Sequence, residues 1–264
     1  MSAIAGIPVF QDNYIWFICD NPLPASKYCA IVDPGDGAAV IAWLTQHAVI
    51  PVAIFITHHH HDHIGGIVDL KSRYSLPVYG PEMESIPGIT HRLRDADRIV
   101  LPHNLGKWTI MAVPGHTLGH IAYWNGQELF CGDTLFGAGC GRLFEGTPVQ
   151  MYDSLNKIAE LPTSTNIYCA HEYTLVNLSF ARCVEPNNPA IGERIVKTQR
   201  ERNQGHPSIP NRLQDELATN PFLRCHVASV RQAAEQHQGQ PLISAEATFA
   251  ALRSWRDHFR QPGS

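Results

Sequence analysis

Short apolar, largely β-branched runs alternate with turn-forming clusters through the first half of the chain. Ile15–Cys19, Tyr28–Val32 and Val52–Thr57 are predicted as strands, the second closed by the turn Asp33-Pro34-Gly35-Asp36-Gly37. Between them Val40, Ile41 and Leu44 recur at helical spacing, predicting a helix over Ala38–Ala48, and Gly66–Tyr74 reads as another. Further strands are predicted at Arg98–Leu101, Trp108–Val113, Ile121–Trp124 and Glu128–Cys131. A helix follows over Met151–Leu161, stopped by Pro162, and then a short strand over Asn166–Ala170. This mixture predicts an α/β part.

The pattern changes near residue 171. From Pro189 onward the chain is polar and helix-forming, with helices expected at Ile191–Asn203, Asn211–Ala218 and Val227–His237. A last helix is expected to be capped by Ser244, with Phe249, Leu252 and Phe259 along one stripe. The division expected is 1–171 and 172–264, which suits a length of 264 residues at roughly 150 per domain. No internal repeat or low-complexity tract interrupts it.

Composition narrows the function classes. No apolar run approaches the roughly 18 residues of a membrane span, and the start lacks the pattern of a secretory signal. With 20 Lys plus Arg against 24 Asp plus Glu, a net charge of -4 offers no general attraction to nucleic acid or anionic membrane. Seven cysteines without paired spacing read as packing thiols in a reducing compartment. The expectation is a cytoplasmic, monomeric protein without nucleic-acid or membrane partners.

Histidine is the unusual residue, with 15 copies. Thr57-His58-His59-His60-His61-Asp62-His63 follows a predicted strand and precedes Ile64-Gly65-Gly66, a strand-to-helix loop of the kind that carries active sites. In extended backbone, residues two apart point the same way, so His58 and His60 can reach one metal ion. Asp62 and His63, where the chain turns, face another. Three more strand ends bring metal-ligand side chains: Pro114-Gly115-His116-Thr117, Cys131-Gly132-Asp133-Thr134 and Ala170-His171-Glu172-Tyr173.

In order and spacing, T-H-x-H-x-D-H, G-H-T, G-D-T and a late His resemble the metallo-β-lactamase superfamily. The resemblance implies a four-layer αβ/βα sandwich followed by a smaller all-α domain. It implies a first metal held by His58, His60 and His116, and a second by Asp62, His63 and His171. It further implies that Asp133 would bridge the two and orient a metal-bound hydroxide, with Asp62 completing the catalytic pair. His59, His61 and His120 fall outside this ligand set. Nitrogen and oxygen donors without Cys suit two divalent ions, Zn or alternatively Fe or Mn.

Within the superfamily the chain resembles the glyoxalase II (hydroxyacylglutathione hydrolase) family. The resemblance rests on Asp12-Asn13-Tyr14-Ile15-Trp16, Val32-Asp33-Pro34-Gly35, Gly132 through Arg142, Ala170-His171-Glu172-Tyr173-Thr174 and Asn220-Pro221-Phe222-Leu223-Arg224. It implies hydrolysis of a glutathione thioester, S-D-lactoylglutathione to glutathione and D-lactate, the second step of methylglyoxal detoxification. Arg142, Tyr173 and Arg224 would contact glutathione. Phe144 stands where some members carry Tyr, and no Lys follows Arg224 before Arg231. The alternative within the fold is a persulfide dioxygenase with one iron, against which Asp62, His63 and His171 argue by filling a second site.

Overall fold

In the computed structural model, which describes residues 3–260, all seven residues of the second strand are buried. A strand apolar on both faces needs cover on both faces. The chain divides into two compact units. The first runs to Ala112 and includes Leu118–Gly132; the second comprises Val113–Thr117 and the chain from Asp133 onward.

The first unit contains β1 (Ala3–Val9), β2 (Asn13–Cys19), β3 (Tyr28–Val32), α1 (Gly37–His47), β4 (Ile50–Phe55), α2 (His61–Ile64), α3 (Ile67–Arg73), β5 (Val78–Pro81), β6 (His91–Leu93), β7 (Arg98–Val100), β8 (Lys107–Ala112), β9 (Ile121–Trp124) and β10 (Glu128–Gly132). Strands β1 to β6 form a mixed sheet in sequence order, antiparallel through β3 and parallel thereafter. Strands β7 to β10 form an antiparallel meander. Alternation assigns the faces of the first sheet. Ile15, Phe17, Cys29, Ile31 and Ile54 cluster with Val40, Trp43 and Leu44 of α1 and Ile67 and Leu70 of α3. From the opposite face Phe55 stacks on Tyr123 of β9 at 4.4 Å and meets Trp108 of β8 edge-on.

The second unit contains β11 (Leu135–Phe136), β12 (Gly139–Cys140), α4 (Pro148–Ala159), β13 (Asn166–Cys169), α5 (Thr174–Val184), α6 (Pro189–Asn203), β14 (Asn211–Arg212), α7 (Leu213–Thr219), a 3-10 turn at Pro221–Leu223, α8 (Ala228–Gln238) and α9 (Ala245–His258). Helices dominate it. Thr147 and Gln150 form a capping box at the start of α4, and Ser244 caps α9 by accepting from the Ala247 amide. An aromatic cluster of Phe180, Phe222, Phe249 and Trp255 joins α5, the 3-10 turn and α9.

Several expectations shift. Strand β4 starts two residues early because Pro51 is accommodated at a register shift opposite Cys29 and Ala30. It also ends early, at Phe55, and the Thr57 amide turns to the Asp33 carboxylate instead of the ladder. Asn211 and Arg212 pair with Ile167 and Asn166 before the helix begins at Leu213. Strand β1, rich in Ala, Gly and Pro, was not predicted, nor was α5, whose Thr and Val residues favour strands. Cys183 is exposed, unlike the other six cysteines.

Candidate metal centre and substrate contacts

Asp33 organises the histidine run in the first unit. It follows β3 directly, in the left-handed region at φ 50°, and is buried. Its carboxylate accepts from the Thr57 amide (2.8 Å), from Thr57 Oγ1 (2.7 Å) and from His63 Nδ1 (2.9 Å). A carboxylate only accepts, so the Thr57 hydroxyl proton points at Asp33, and the Thr57 oxygen receives the Nδ1 proton of His58 at 3.1 Å. Both histidines thereby carry their proton on Nδ1 and present Nε2 as an electron-pair donor. His58 Nε2 lies 3.1 Å from Nδ1 of His60, which is the extended N-cap residue of α2.

His63 Nε2 faces Asp62 Oδ2 at 3.6 Å, and Asn13 Nδ2 anchors that same oxygen at 2.8 Å. Gly35 lies against the loop so closely that a Cβ there would come within 1.8 Å of the Asp62 carbonyl oxygen. Of the histidines outside the expected ligand set, His59 pairs with Glu84 at 3.1 Å, His120 stacks on His58 at 4.6 Å, and His61 is exposed.

The second unit brings His116, Asp133 and His171 together. Asp133 Oδ2 lies 3.3 Å from His116 Nε2 and 3.4 Å from His171 Nε2. His116 Nδ1 donates to the Arg142 carbonyl at 2.7 Å, which again leaves Nε2 as an electron-pair donor. Tyr173 stacks on His171 at 4.9 Å, Phe136 meets both rings edge-on, and Phe144 meets His116 edge-on.

These arrangements test whether the donors suit a cation. In both units a histidine Nε2 lone pair faces a carboxylate oxygen, two donors of electron pairs that repel unless positive charge lies between them. The outward nitrogens are fixed by Asp33, Thr57 and the Arg142 carbonyl, the pattern by which proteins orient metal-binding imidazoles. Each set suits a divalent cation.

The candidate substrate cations behave differently from one another. The Arg142 side chain is 57% exposed and pairs with Asp257 at 3.3 Å. Arg224 is committed elsewhere: Glu185 takes its Nε at 2.7 Å and Nη2 at 3.1 Å, and Nη1 donates to the Leu217 carbonyl. Burial pushes the Glu185 carboxyl up, but Arg224 and Ser229 outweigh it and hold the group below the usual range.

Beside Arg142 lie two cations that sequence reasoning passed over. Arg253 donates to the Cys140 carbonyl and to Asp257, and Arg256 bonds Asn177 Oδ1 at 3.2 Å. Burial and the neighbouring Arg253 charge push the Arg256 guanidinium below its usual value. Arg142 and Arg253 thus both bond the Asp257 carboxylate, and Arg256 lies within electrostatic reach of all three. The three-residue spacing of Arg253 and Arg256 on one helix was the available signal.

Comparison with known proteins agrees with this geometry. The metallo-beta-lactamase superfamily matches residues 12–171, and the hydroxyacylglutathione hydrolase C-terminus matches 172–259. The hydroxyacylglutathione hydrolase of Alkalilimnicola ehrlichii is 50% identical over 257 residues, covering 97% of this chain and 99% of that protein. The chain belongs to the hydroxyacylglutathione hydrolase family. The Nitrosomonas europaea member is 47% identical over 254 residues, covering 96% of this chain and 95% of that one. ETHE1 from Myxococcus xanthus superimposes with a TM-score of 0.63 at 22% identity, covering 96% of this chain and 98% of that chain, which shows the shared metallo-β-lactamase fold. Mixed sheets with helices and a helical C-terminal region are therefore this family member's architecture. No helix among the described residues is long and apolar enough to cross a membrane.

Proposed function

We propose that this chain is a binuclear metal-dependent thioesterase that hydrolyses S-(2-hydroxyacyl)glutathione. The substrate we infer is S-D-lactoylglutathione, giving glutathione and D-lactate in the second step of methylglyoxal detoxification. The observation that carries this reading is the hydroxyacylglutathione hydrolase match over the helical tail, residues 172–259. We read 1–171 as the catalytic part and 172–264 as the part that narrows the substrate.

His58, His60 and His116 would hold one ion, Asp62, His63 and His171 the other, and Asp133 both. Zn suits the donors, as do Fe and Mn. Such ions supply a Lewis acid and lower the pKa of a coordinated water toward ~7. The protein's own residues do the rest. Asp33 and Thr57 fix the proton positions of His58 and His63, and the Arg142 carbonyl fixes that of His116.

Glutathione carries two carboxylates and one ammonium, and in an acidic protein its carboxylates require local cations. Arg142, Arg253 and Arg256 supply that surplus around Asp257. Tyr173, which stacks on His171, would donate its hydroxyl to the peptide portion. Arg224 could take part only by leaving Glu185. The departing thiol has an ordinary pKa of ~8.5, so no side chain is needed as its general acid. The entire residue set lies on one chain, which suits a monomer, and six buried cysteines suit the cytoplasm.

The test is thiol release from a panel of acyl-glutathione and acyl-coenzyme A thioesters, with metal analysis of the same preparation. Release from S-D-lactoylglutathione, abolished by chelation and restored by Zn, Mn or Fe, is expected. Activity surviving exhaustive chelation overturns the metal assignment. Oxygen uptake with glutathione persulfide and no thiol release from any acyl-glutathione overturns the hydrolase reading.

A further inference from the structure

Asp133 and Arg142 are joined by one tight hairpin, β11 and β12, whose strands pair Leu135 with Cys140 and Phe136 with Gly139. Its turn forces Ala138 into the left-handed region at φ 53°, a conformation that a residue with a Cβ adopts only when its surroundings hold it there. Gly141 closes the hairpin so tightly that a Cβ would come within 1.9 Å of the Asp133 carbonyl oxygen. The hairpin therefore sets three things together: where Asp133 starts, where the Arg142 side chain emerges, and where the Arg142 carbonyl meets His116.

Tail side chains take the turn's backbone polar groups. The Ala138 amide donates to Glu216 Oε2 at 2.8 Å. Asn220 donates to the Gly139 carbonyl, Asn177 to the Gly137 carbonyl and Arg253 to the Cys140 carbonyl. Glu216 is the only one of these four that is an anion, and it is fully buried. Its Oε1 pairs with Arg194, which is itself fixed by Thr219 and Asn211, and Asn220 also donates to Glu216 Oε2. A buried ion pair is a weak stabiliser compared with apolar residues of the same size, because both charges lose their water. What this pair provides is an acceptor held at one point against the Ala138 amide.

We propose that Glu216 is a positioning residue for the hydrolase, acting through the Ala138 amide to hold the hairpin that carries Asp133 at one end and Arg142 at the other. The inference rests on the functional reading of Asp133, His116 and Arg142 given above.

Removing Glu216 alone would strand Arg194, so the test compares Arg194→Met/Glu216→Gln with Arg194→Met/Glu216→Met. Both lack the ion pair and keep similar shapes, but only Gln retains an oxygen for the Ala138 amide. Each is assayed well below its own melting temperature. The Met version is expected to lose about tenfold or more in kcat/KM relative to the Gln version, with lower kcat and higher KM together. Its metal affinity, read by competition with a chromophoric chelator, is expected to fall by about tenfold or more, the range seen when an imidazole's outer partner is disturbed. Equal kcat, KM and metal affinity in the two variants would reduce Glu216 to a structural residue and overturn the proposal.

Hydrogen exchange of the wild-type segment 134–142 decides independently of whether the variants fold. Slow exchange of the Ala138 amide supports the clamp, and free exchange overturns it. If the wild type releases no thiol from any acyl-glutathione, the functional reading fails, while chelator competition and hydrogen exchange still decide the role of Glu216.

Discussion

Replacing Asp33 with Asn tests the proton arrangement of the histidine run most directly. The wild-type carboxylate accepts three hydrogen bonds, two of them from groups that feed His58 and His63. An amide of the same shape offers one acceptor oxygen and turns a donor toward the other partners. If the oxygen stays with the Thr57 amide, the new NH2 group confronts the Thr57 hydroxyl and His63 Nδ1. Both must then reverse, moving the His63 proton to the nitrogen that faces Asp62. Two charge-assisted bonds at about 1.5–3 kcal/mol each are disturbed, and because they share one carboxylate their losses do not simply add. A net destabilisation of about 3 kcal/mol is expected, roughly a 6–12 °C fall in melting temperature for a protein of this size.

The effect on metal affinity separates this reading from simple destabilisation. Loss of the outer hydrogen bond of a ligating imidazole is expected to weaken binding about 10–100-fold. Chelator competition on folded protein measures that loss, and thermal unfolding followed by circular dichroism measures the other. An Asp33→Asn protein that melts early but binds Zn as tightly as wild type would refute the relay through Thr57 and leave Asp33 as a packing residue of the β3 turn. Unchanged melting and unchanged affinity would refute the entire account of this carboxylate.

Two further sets of variants address the cations. Arg142→Ala and Arg256→Ala are each expected to raise KM for S-D-lactoylglutathione by roughly tenfold with little change in kcat, since a hydrogen bond to a charged group is worth about 1.5–3 kcal/mol and the exposure of Arg142 reduces its share; steady-state kinetics showing unaltered KM in both would remove the cluster from the glutathione site. Arg224→Ala is expected to lower the melting temperature at pH 7 while leaving KM near wild type. Glu185 has a depressed folded-state pKa, so its stabilising contribution is present above the unfolded value of ~4.3 and is lost as pH falls through the lower folded value. The deficit of Arg224→Ala should therefore shrink in melts below about pH 4, and a deficit that persists undiminished at pH 3 contradicts the ion-pair explanation.

Periodicity revealed those elements whose sequence carries their own pattern. Residues Tyr28–Val32 and Ile121–Trp124 form strands at the predicted bounds, because β-branched and aromatic side chains there face covered surfaces. The histidine run was legible for a related reason: a largely buried strand leads toward it, and its last three residues open the one-turn helix α2. Asp33 appeared in the same sequence only as part of a turn. Its role depends on contacts 24 and 30 residues away, which no local pattern encodes. Arg253 and Arg256 were hidden by the apolar stripe of their own helix, where Phe249 and Leu252 account for the periodicity and the arginines look like its solvated side.

Arg224 and Glu216 illustrate the opposite difficulty, in which the charged residue of a recognisable block draws attention away from its quieter neighbours. Arg224 stands out in Asn220-Pro221-Phe222-Leu223-Arg224 because it is charged, yet Glu185, 39 residues earlier, already occupies it. The less conspicuous members of the same stretch reach the hairpin: Asn220 bonds the Gly139 carbonyl, and Glu216, one helical turn earlier, bonds the Ala138 amide. A buried carboxylate on a helix reads from sequence as a solvated residue, since burial without a partner would be prohibitive. Only the fold supplies the partner, Arg194, that lets Glu216 stay charged inside. Under the proposed function the helical tail would serve the chemistry in two ways, through the guanidinium groups of α9 beside Arg142 and through contacts to the backbone between Asp133 and Arg142, with Arg253 belonging to both.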